Sequence, residues 1–384
     1  MDYPAQPTTT DDRPLLPALS MPQRTLMGPG PSNVPGPVLD AMTQPVVGHL
    51  DPAFIEIMDG VQTLLRYLFQ TENELTIPIS GTGSAAMEAA VANLVEPGDD
   101  VLVCINGYFG GRIAEMARRY GADVRTVERE WGEIVPASAV EEALQRRPAS
   151  VVGIVHGETS TGVAQPLGEV VKVAHEHGAM VIVDTVASLG GAPLRVDELG
   201  IDVCYSGSQK CLSAPPGASP ITLSAQAVRR IEKRQTPVAN WYLDLLLLRR
   251  YWGEERAYHH TAPISTVYAL YEALRLVAEE GLEARWQRHQ DVAEQLWEGL
   301  AELGMSPLVP REYRLPPLTT VQVGHLEDEG AIRSRLMDEY NMEIAGGLGA
   351  LAGEVWRVGL MGHSARPENV SHLLTALREL LPDA

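Results

Sequence analysis

From about residue 55, short apolar runs of strand length alternate along the chain with segments that have the period of an amphipathic helix. The run 75–79, for example, leads through a glycine turn into an alanine-rich helical segment at 84–94. Further apolar runs follow at 101–105, 151–155, 180–183 and 203–205. Strands that alternate with helices build a mostly parallel sheet that is covered by helices on both faces. The sequence therefore predicts an α/β fold whose ligands collect at the carboxyl ends of the strands.

A different pattern begins near residue 280. Helical periodicity runs through 266–303, with Gly281 as a candidate break, and the remaining predicted elements are strands 318–323 and 355–359 and helices 330–339 and 367–381. We therefore predict a large domain over residues 21–279 and a smaller α+β domain over residues 280–384. Residues 1–20 are rich in Pro, Thr and Asp, and we expect them to form a flexible tail.

The formal net charge of −20 over 384 residues argues against partners that require a positive field, namely nucleic acid and anionic membrane surfaces. No apolar run is long enough to span a bilayer, and the N-terminus lacks the basic and apolar regions of a secretory signal. Cys104, Cys204 and Cys211 cannot form a disulfide framework and are too far apart in sequence for a zinc knuckle. We interpret them as small buried hydrophobic residues or free thiols in a reducing cytoplasm, and we expect no metal. These features favour a cytoplasmic protein whose ligands are small molecules.

Lysine is rare in this chain, and one of its three positions differs from the other two. Lys172 and Lys233 lie in charged helical or surface runs, whereas Lys210 ends the small polar run Ser206-Gly207-Ser208-Gln209-Lys210 after a short apolar strand. A lysine in such a loop, with no carboxylate close in sequence, loses its proton more readily than a surface lysine. The neutral amine can then form a Schiff base. Taken alone, Lys210 also fits an ordinary surface loop.

Two further features at strand ends favour a phosphorylated ring cofactor. The turn Ser80-Gly81-Thr82-Gly83-Ser84 lies between a strand and a helix, where glycines and free helix amides can receive an anion. A dinucleotide would also need an acidic residue at the end of the next strand, which ends at Asn106 instead, so a single phosphate is favoured. Asp184 closes the strand 180–183 and could keep a ring nitrogen protonated, as pyridoxal 5′-phosphate requires. A helix start without a ligand and a capping aspartate are the alternatives.

Phe109 and Arg357 are the remaining candidates from the residues alone. Phe109 follows the strand that ends at Asn106, where an aromatic ring can stack on a flat cofactor. Arg357 lies between Trp356 and Val358, and strand alternation places those two on the opposite face. Its guanidinium can therefore bind a substrate carboxylate through two hydrogen bonds. Core packing for Phe109 and a solvated position for Arg357 stay open at this point.

With these residues, the chain resembles the class V aminotransferases of fold type I, which are pyridoxal-phosphate enzymes, and most closely the alanine–glyoxylate and serine–pyruvate aminotransferase family. The resemblance covers about residues 24–381 and implies a seven-stranded, mostly parallel sheet with a smaller C-terminal domain. The motifs that carry it are Gly28-Pro29-Gly30-Pro31-Ser32-Asn33, Ser80-Gly81-Thr82-Gly83, His156-Gly157-Glu158-Thr159-Ser160-Thr161-Gly162, Asp184-Thr185-Val186-Ala187-Ser188-Leu189-Gly190-Gly191, Ser206-Gly207-Ser208-Gln209-Lys210 and Tyr258-His259-His260-Thr261.

The resemblance implies that Lys210 is the Schiff-base lysine and proton shuttle, and that Asp184 pairs with the pyridine nitrogen. The other implied cofactor contacts are stacking by Phe109, a hydrogen bond from Thr159 to the ring hydroxyl, and phosphate binding by Thr82, Gly83, Ser84 and Gln209. Relatives often carry Trp at the position of Phe109 and His at that of Ser84.

The remaining implied contacts concern a second subunit and the substrate. Tyr258 and Thr261 are implied to reach the phosphate from the partner subunit, so the resemblance implies a homodimer with shared active sites. Gly30 and Arg357 are implied to hold the carboxylate of the substrate.

The reaction that the resemblance implies is transfer of the amino group of L-alanine or L-serine to glyoxylate, giving pyruvate or hydroxypyruvate and glycine. Residues 45–51 also resemble the (S)-ureidoglycine–glyoxylate aminotransferases of purine catabolism, which carry Gln and Asn at the positions of His49 and Tyr258. Tyr258 favours alanine or serine as the donor. A cysteine desulfurase of the same class and a cofactor-binding scaffold or regulator without enzymatic activity are further alternatives.

Overall fold

The structure is a computed structural model, and it describes residues 16–381. Of the predicted tail at residues 1–20, positions 1–15 lie outside the described residues, and so do positions 382–384.

A seven-stranded sheet forms the centre of the larger part of the chain. In spatial order its strands are Leu75–Gly81, Gly217–Leu223, Val203–Tyr205, Met180–Asp184, Val151–Val155, Asp100–Ile105 and Asp123–Glu128. Only Gly217–Leu223 runs antiparallel to its neighbours, so the prediction of a mostly parallel sheet is confirmed. The inner strands Val151–Val155 and Met180–Asp184 are buried along their whole length. Their continuous apolar sequence follows from this, since helices cover both faces of the sheet.

Helices connect and cover these strands. Those of the larger part are Gly36–Met42, Pro52–Phe69, Gly83–Leu94, Tyr108–Arg119, Ala137–Arg146, Gly168–Glu176, Val196–Leu199, Ala225–Glu232, Leu245–Trp252 and Ile264–Glu280. The helix Pro52–Phe69 illustrates the local signals: the Asp51 side chain accepts a hydrogen bond from the amide of Ala53, and the helix ends at Gln70 in the left-handed region. Gly281, at φ +82°, separates Ile264–Glu280 from the next helix, which confirms the predicted break.

The C-terminal part has its own sheet and its own hydrophobic core. Its strands lie in the order Leu318–Gln322, Val355–Gly359, Ala345–Gly346, and all pairs are antiparallel. Its helices are Leu282–Glu302, Glu329–Tyr340 and Pro367–Leu380. The N-terminal strand Thr25–Leu26 pairs with Met342–Glu343, and Met27 lies in this second core. The N-terminal segment therefore packs against the C-terminal part before the chain forms the large sheet. Within residues 16–381, no helix is both long and apolar enough to cross a membrane.

The parallel strands end at a common edge of the large sheet, and the sequence motifs lie at or just after these strand ends. The motif turn at Thr82 follows Leu75–Gly81, Phe109 comes shortly after Asp100–Ile105, and Asp184 is the last residue of its strand. Short pairing between Gly157–Glu158 and Val163–Ala164 stiffens the loop after Val151–Val155. This edge carries the candidate site.

Candidate active site

A pocket of about 180 Å³ lies at this edge of the sheet. It is lined by Thr82, Gly83, Ser84, Met87, Phe109, Arg112, Val155, Gly157, Thr159, Asp184, Val186, Ala187, Gln209 and Lys210. Eight of the residues predicted from the sequence are among them. A larger hollow of about 590 Å³ between Asp59 and Arg256 is lined mainly by charged surface side chains and by none of the predicted site residues. The chemistry is therefore concentrated in the smaller pocket.

Lys210 is held in place by the N-terminal segment of the chain. Its Nζ donates a hydrogen bond to the carbonyl of Pro29. The hydroxyl of Ser32 donates to the carbonyl of Lys210 at 2.7 Å, and the amide of Ser32 donates to that of Gln209 at 2.9 Å. Burial lowers the pKa of Lys210 from 10.5 to about 8, and the charge of Arg357 acts in the same direction. At pH 7 roughly a tenth of the amine is therefore neutral and nucleophilic, far more than for a free lysine.

Gly30 is packed directly against the lysine side chain. A Cβ atom at this position would lie 2.7 Å from Nζ of Lys210 and 2.8 Å from its Cε. The residue also adopts φ +105°, in the region that favours glycine. Both the space and the backbone conformation therefore require glycine. The structure places Gly30 beside Lys210, at the margin of the pocket.

Asp184 is buried, and its carboxylate is oriented by two donors. Oδ1 accepts from the amide of Val186 at 2.8 Å, and Oδ2 accepts from the hydroxyl of Tyr205 at 2.9 Å. Burial raises the pKa of Asp184 from 3.8 to about 6, although these two hydrogen bonds act in the opposite direction. A cationic partner in the pocket would favour the ionised form. The residue is thus arranged to bind a protonated ring nitrogen.

The turn before the helix Gly83–Leu94 forms an anion-binding corner. Thr82 precedes the first helical residue, and its side chain makes no capping hydrogen bond. The first amides of a helix lack intrahelical acceptors and carry the positive end of the helix dipole. At Gly83, a Cβ atom would lie 3.1 Å from Cγ2 of Val186, so the absence of a side chain keeps the backbone open to a ligand.

Gln209 carries a buried polar atom without a partner. Its Oε1 has no hydrogen-bond partner among the described residues, although the side chain lines the pocket. Buried polar groups are normally paired, and an amide can be turned to present either its oxygen or its NH2 group. An unpaired amide beside the helix amides of Gly83–Leu94 therefore suits a ligand oxygen such as that of a phosphate.

The ring of Phe109 lines the pocket near the start of the helix Tyr108–Arg119. Arg112 lies with its Cζ 4.9 Å from the centre of this ring and donates a long hydrogen bond of 3.3 Å to the hydroxyl of Ser84. Sequence analysis did not select Arg112. The signal available was the spacing of three residues between Phe109 and Arg112, which places both side chains on one helix face.

Glu158 belongs to the motif His156–Gly162, and its residue type and position alone predict no role for it. Its side chain is buried, Oε1 accepts from the amide and the hydroxyl of Ser160 at 3.0 and 2.7 Å, and Oε2 accepts from the amide of Phe109 at 3.0 Å. The available signal was an acidic residue three positions after the buried strand Val151–Val155. It was not used because partners that are backbone amides cannot be recognised from sequence.

Arg357 approaches the pocket from the C-terminal part. Trp356 and Val358 are buried in the second core, which confirms that Arg357 lies on the other face of its strand. Its Nε donates to the carbonyl of Gly346 at 2.8 Å and its Nη1 to that of Thr159 at 3.4 Å. Among the described residues no carboxylate forms an ion pair with it, and burial lowers its pKa. The guanidinium is thus oriented by carbonyls and lacks a neutralising anion within residues 16–381.

Tyr258 and Thr261 are not brought to the pocket of their own chain. Tyr258 is 64% exposed, and its ring lies 5.1 Å from that of His49. Thr261 is also exposed. Their predicted role at the site of a partner subunit stays a prediction. Within residues 16–381, no group of three or more His, Cys, Asp or Glu side chains is arranged to hold a metal ion.

Comparison with known proteins gives the family. The family model described as aminotransferase class-V matches residues 25–365. The alanine–glyoxylate aminotransferase of Oryctolagus cuniculus is 45% identical over 367 residues, with 94% of each chain covered. A crystal structure of the alanine–glyoxylate aminotransferase of Nostoc sp. matches with TM-score 0.95 and 54% identity over 97% of this chain and 99% of that one. The ureidoglycine–glyoxylate aminotransferase of Bacillus subtilis matches with TM-score 0.93 and 41% identity over 95% of both chains.

Proposed function

Since the chain belongs to the class-V aminotransferases, we propose that it transfers the amino group of L-alanine or L-serine to glyoxylate, with pyridoxal 5′-phosphate as its cofactor. The observation that carries this proposal is the convergence of Lys210 and Asp184 on one pocket beside a helix N-terminus. The similarity to alanine–glyoxylate aminotransferases of rabbit and Nostoc sp. supports the choice of substrates.

The residues present fit this cofactor. Bound pyridoxal 5′-phosphate supplies an aldehyde that amines attack and a cationic ring that accepts electrons. Thr82, Gly83, Ser84 and the unpaired amide of Gln209 would hold its phosphate, Phe109 would contact its ring, and Thr159 would bind its ring hydroxyl. Each of these residues lines the same pocket, which is why we assign the contacts together.

Lys210 would attach the cofactor and, when displaced by the amino donor, would carry a proton. Because burial brings its pKa to about 8, the freed amine is neutral often enough to remove the α-proton of the donor. The carbonyl of Pro29 accepts a hydrogen bond from this amine and fixes its position. The same group can return the proton, which transamination requires.

Asp184 would keep the ring nitrogen protonated. Its carboxylate is held by Val186 and Tyr205, so its orientation does not depend on the ligand. Exclusion of water by the surrounding strands strengthens this ion pair. By holding a proton on that nitrogen, Asp184 would help to stabilise the negative charge that develops when the donor loses its proton.

Arg357 would bind the carboxylate common to donor and acceptor. Its guanidinium is fixed by Gly346 and Thr159 and has no carboxylate partner among the described residues. The backbone near Gly30 faces the same space beside Lys210. An α-amino acid held there would present its amine toward Lys210.

We further propose a cytoplasmic homodimer in which Tyr258 and Thr261 contact the phosphate bound to the partner subunit. Tyr258 is strongly exposed and does not line the pocket of its own chain, which supports this assignment. A ureidoglycine donor is the second candidate, because the Bacillus subtilis ureidoglycine–glyoxylate enzyme is 41% identical.

A cysteine desulfurase activity is less well supported. That reaction needs an accessible thiolate, whereas Cys104, Cys204 and Cys211 are all buried. The thiol of Cys211 donates a hydrogen bond to the carbonyl of Ala187 at 3.3 Å, and burial raises the pKa of this thiol to about 12. A non-enzymatic role is disfavoured because every position that the chemistry needs is filled.

The test is an assay of glycine formation from glyoxylate with L-alanine, L-serine or (S)-ureidoglycine as the donor. We expect activity with alanine or serine, and we expect Lys210→Ala to abolish it while the circular dichroism spectrum stays unchanged. Retention of activity in Lys210→Ala would refute the assignment of the lysine. Exclusive use of ureidoglycine would replace the proposed donor.

A further inference from the structure

Glu158 is the one buried carboxylate of the pocket region to which the proposed chemistry gives no task. It is fully inaccessible to solvent, and both of its oxygens accept hydrogen bonds. Burying a carboxylate is costly unless donors surround it. The donors that converge here are the amide and hydroxyl of Ser160 and the amides of Phe109 and Gly110. Because both oxygens of this buried carboxylate accept hydrogen bonds, its position is fixed.

The contacts of Glu158 fix the start of the helix Tyr108–Arg119. This helix begins after Gly107, which has no side chain with which to cap it. The amide of Phe109 donates to Glu158 instead, and the amide of Tyr108 donates at 2.9 Å to the hydroxyl of Ser160, which itself donates to Glu158. Two free amides of the helix are therefore satisfied from a neighbouring loop.

The fit between this loop and the helix is close. A Cβ atom at Gly107 would lie 2.6 Å from the hydroxyl of Ser160 and 2.5 Å from the carboxyl carbon of Glu158. The helix start therefore cannot shift toward Glu158. Because Phe109 is the second residue of this helix, the position of its ring depends on the carboxylate.

We propose that Glu158 is a positioning residue that holds Phe109 at the wall of the cofactor pocket through the backbone amide of Phe109. This inference rests on the proposed function, because it assumes that the ring of Phe109 contacts the cofactor. Glu158 itself touches neither substrate nor cofactor in this assignment.

The charge of Glu158 has a second effect, on Lys210. The charged and titratable groups around this lysine are Cys211, Arg357, Asp184 and Glu158, and Glu158 raises its pKa. Burial of Glu158 raises its own pKa, while the hydrogen bonds from Ser160 and from the amides of Phe109 and Gly110 favour the ionised form. Replacing the carboxylate by a neutral group should therefore shift the titration of Lys210 to lower pH.

The first experiment is a double-mutant cycle on cofactor binding. Glu158→Gln, Phe109→Ala and the double variant are freed of cofactor, and the dissociation constant of pyridoxal 5′-phosphate is measured by quenching of tryptophan fluorescence. We expect Glu158→Gln to weaken binding about tenfold, the order of a lost hydrogen bond to a charged group. In the Phe109→Ala background the same change should have almost no effect. Equal effects in both backgrounds would overturn the positioning role.

The second experiment follows Lys210 without any cofactor. The rate at which cyanate modifies Lys210 is measured by mass spectrometry as a function of pH, and the other two lysines, Lys172 and Lys233, serve as internal references. Glu158→Gln should lower the midpoint for Lys210 alone. An unchanged midpoint would show that the charge of Glu158 does not reach the lysine.

Two further variants guard against a trivial result. Ser160→Ala keeps the charge of Glu158 and removes one of its donors, so it should weaken cofactor binding without moving the Lys210 midpoint. It replaces Glu158→Gln in the cycle if that variant does not fold. Glu88→Gln is the matched control. The carboxylate of Glu88 accepts at 2.8 Å from the hydroxyl of Tyr120, which directly follows the C-terminal end of the helix Tyr108–Arg119. This variant should behave as the wild type. Failure of the wild type itself to bind the cofactor would refute the proposed function instead.

Discussion

The amine of Lys210 is buried, and burial lowers its pKa from 10.5 to about 8, which favours the neutral form that the proposed chemistry needs. The N-terminal segment holds this lysine: the carbonyl of Pro29 accepts from its amine, and the hydroxyl of Ser32 donates to its carbonyl. Gly30, which has no side chain, leaves room for the lysine side chain. Asp184 shows the complementary case, since burial raises its pKa to about 6 and a cation in the pocket would restore its charge. The two residues thus form a pair whose protonation states are set by the protein.

A pH effect on stability follows from Lys210. Burial lowers its pKa from 10.5 to about 8, so between these values the unfolded chain binds more protons than the folded chain. The free energy of unfolding of the cofactor-free protein should therefore increase as pH rises through that window. The contribution of this group is at most about 1.4 kcal/mol per pH unit. Lys210→Met should remove this gain. Urea unfolding of both proteins at several alkaline pH values measures it, and parallel curves would contradict the assigned environment.

Asp184→Asn tests the role of the second residue. Asparagine preserves the acceptor for the amide of Val186, and the hydroxyl of Tyr205 can turn to accept from the new NH2 group. We expect the cofactor to remain bound and kcat to fall by roughly 100-fold or more, because the ring nitrogen loses its anionic partner. Turnover within a factor of a few of the wild type would exclude Asp184 from this role.

At the scale of elements, the site depends on where strands end and on how the N-terminal segment packs against the lysine loop. Gly30→Ala tests this packing. The new methyl group would meet the side chain of Lys210, and the backbone at φ +105° disfavours alanine, so we expect a loss of about 1–3 kcal/mol in stability together with most of the activity.

Gly36→Ala is the matched control for that variant. No atom lies within 4 Å of a Cβ at Gly36, and the residue begins a helix. Alanine there should leave stability within about 0.5 kcal/mol of the wild type, because it removes no contact and suits a helix. Equal behaviour of both alanine variants would contradict the close contact between Gly30 and Lys210.

The sequence predicts the strands of the large sheet and part of the candidate site, but not every strand or every site residue. Strands such as Val151–Val155 were located because apolar runs on a sheet covered on both faces are continuous. The antiparallel strand Gly217–Leu223 was missed because Ser219 and Pro220 interrupt its apolar pattern. Among site residues, Asp184 could be selected because it ends a strand, and Lys210 because lysine is rare and this one lies in the small polar loop after Val203–Tyr205. Glu158 could not be assigned, since most of its partners are backbone amides that only the fold brings near. Arg112 was missed although its spacing from Phe109 places both side chains on one helix face.

At the scale of the whole molecule, the site of one chain lacks the predicted contribution of Tyr258 and Thr261. If the partner subunit supplies them, Lys210→Ala and the double variant Tyr258→Ala/Thr261→Ala should complement each other. Each heterodimer would contain one site with a wild-type lysine and wild-type partner residues. A random one-to-one mixture should then recover about a quarter of wild-type activity, because half of the dimers are mixed and each has one intact site. No recovery after verified subunit exchange would contradict the shared site.

The central claim, that Lys210 and Asp184 form the site of a transaminase, is tested most directly by a single half-reaction. Protein loaded with pyridoxal 5′-phosphate is mixed with L-alanine, and separately with L-serine, without any oxo acid, while the visible spectrum and the oxo-acid product are measured. We expect one equivalent of pyruvate or hydroxypyruvate per active site, loss of the yellow colour, and its return with formation of glycine when glyoxylate is added. A loaded protein that keeps its colour and releases neither oxo acid would contradict the proposed reaction, and a protein that cannot be loaded at all would contradict the site itself.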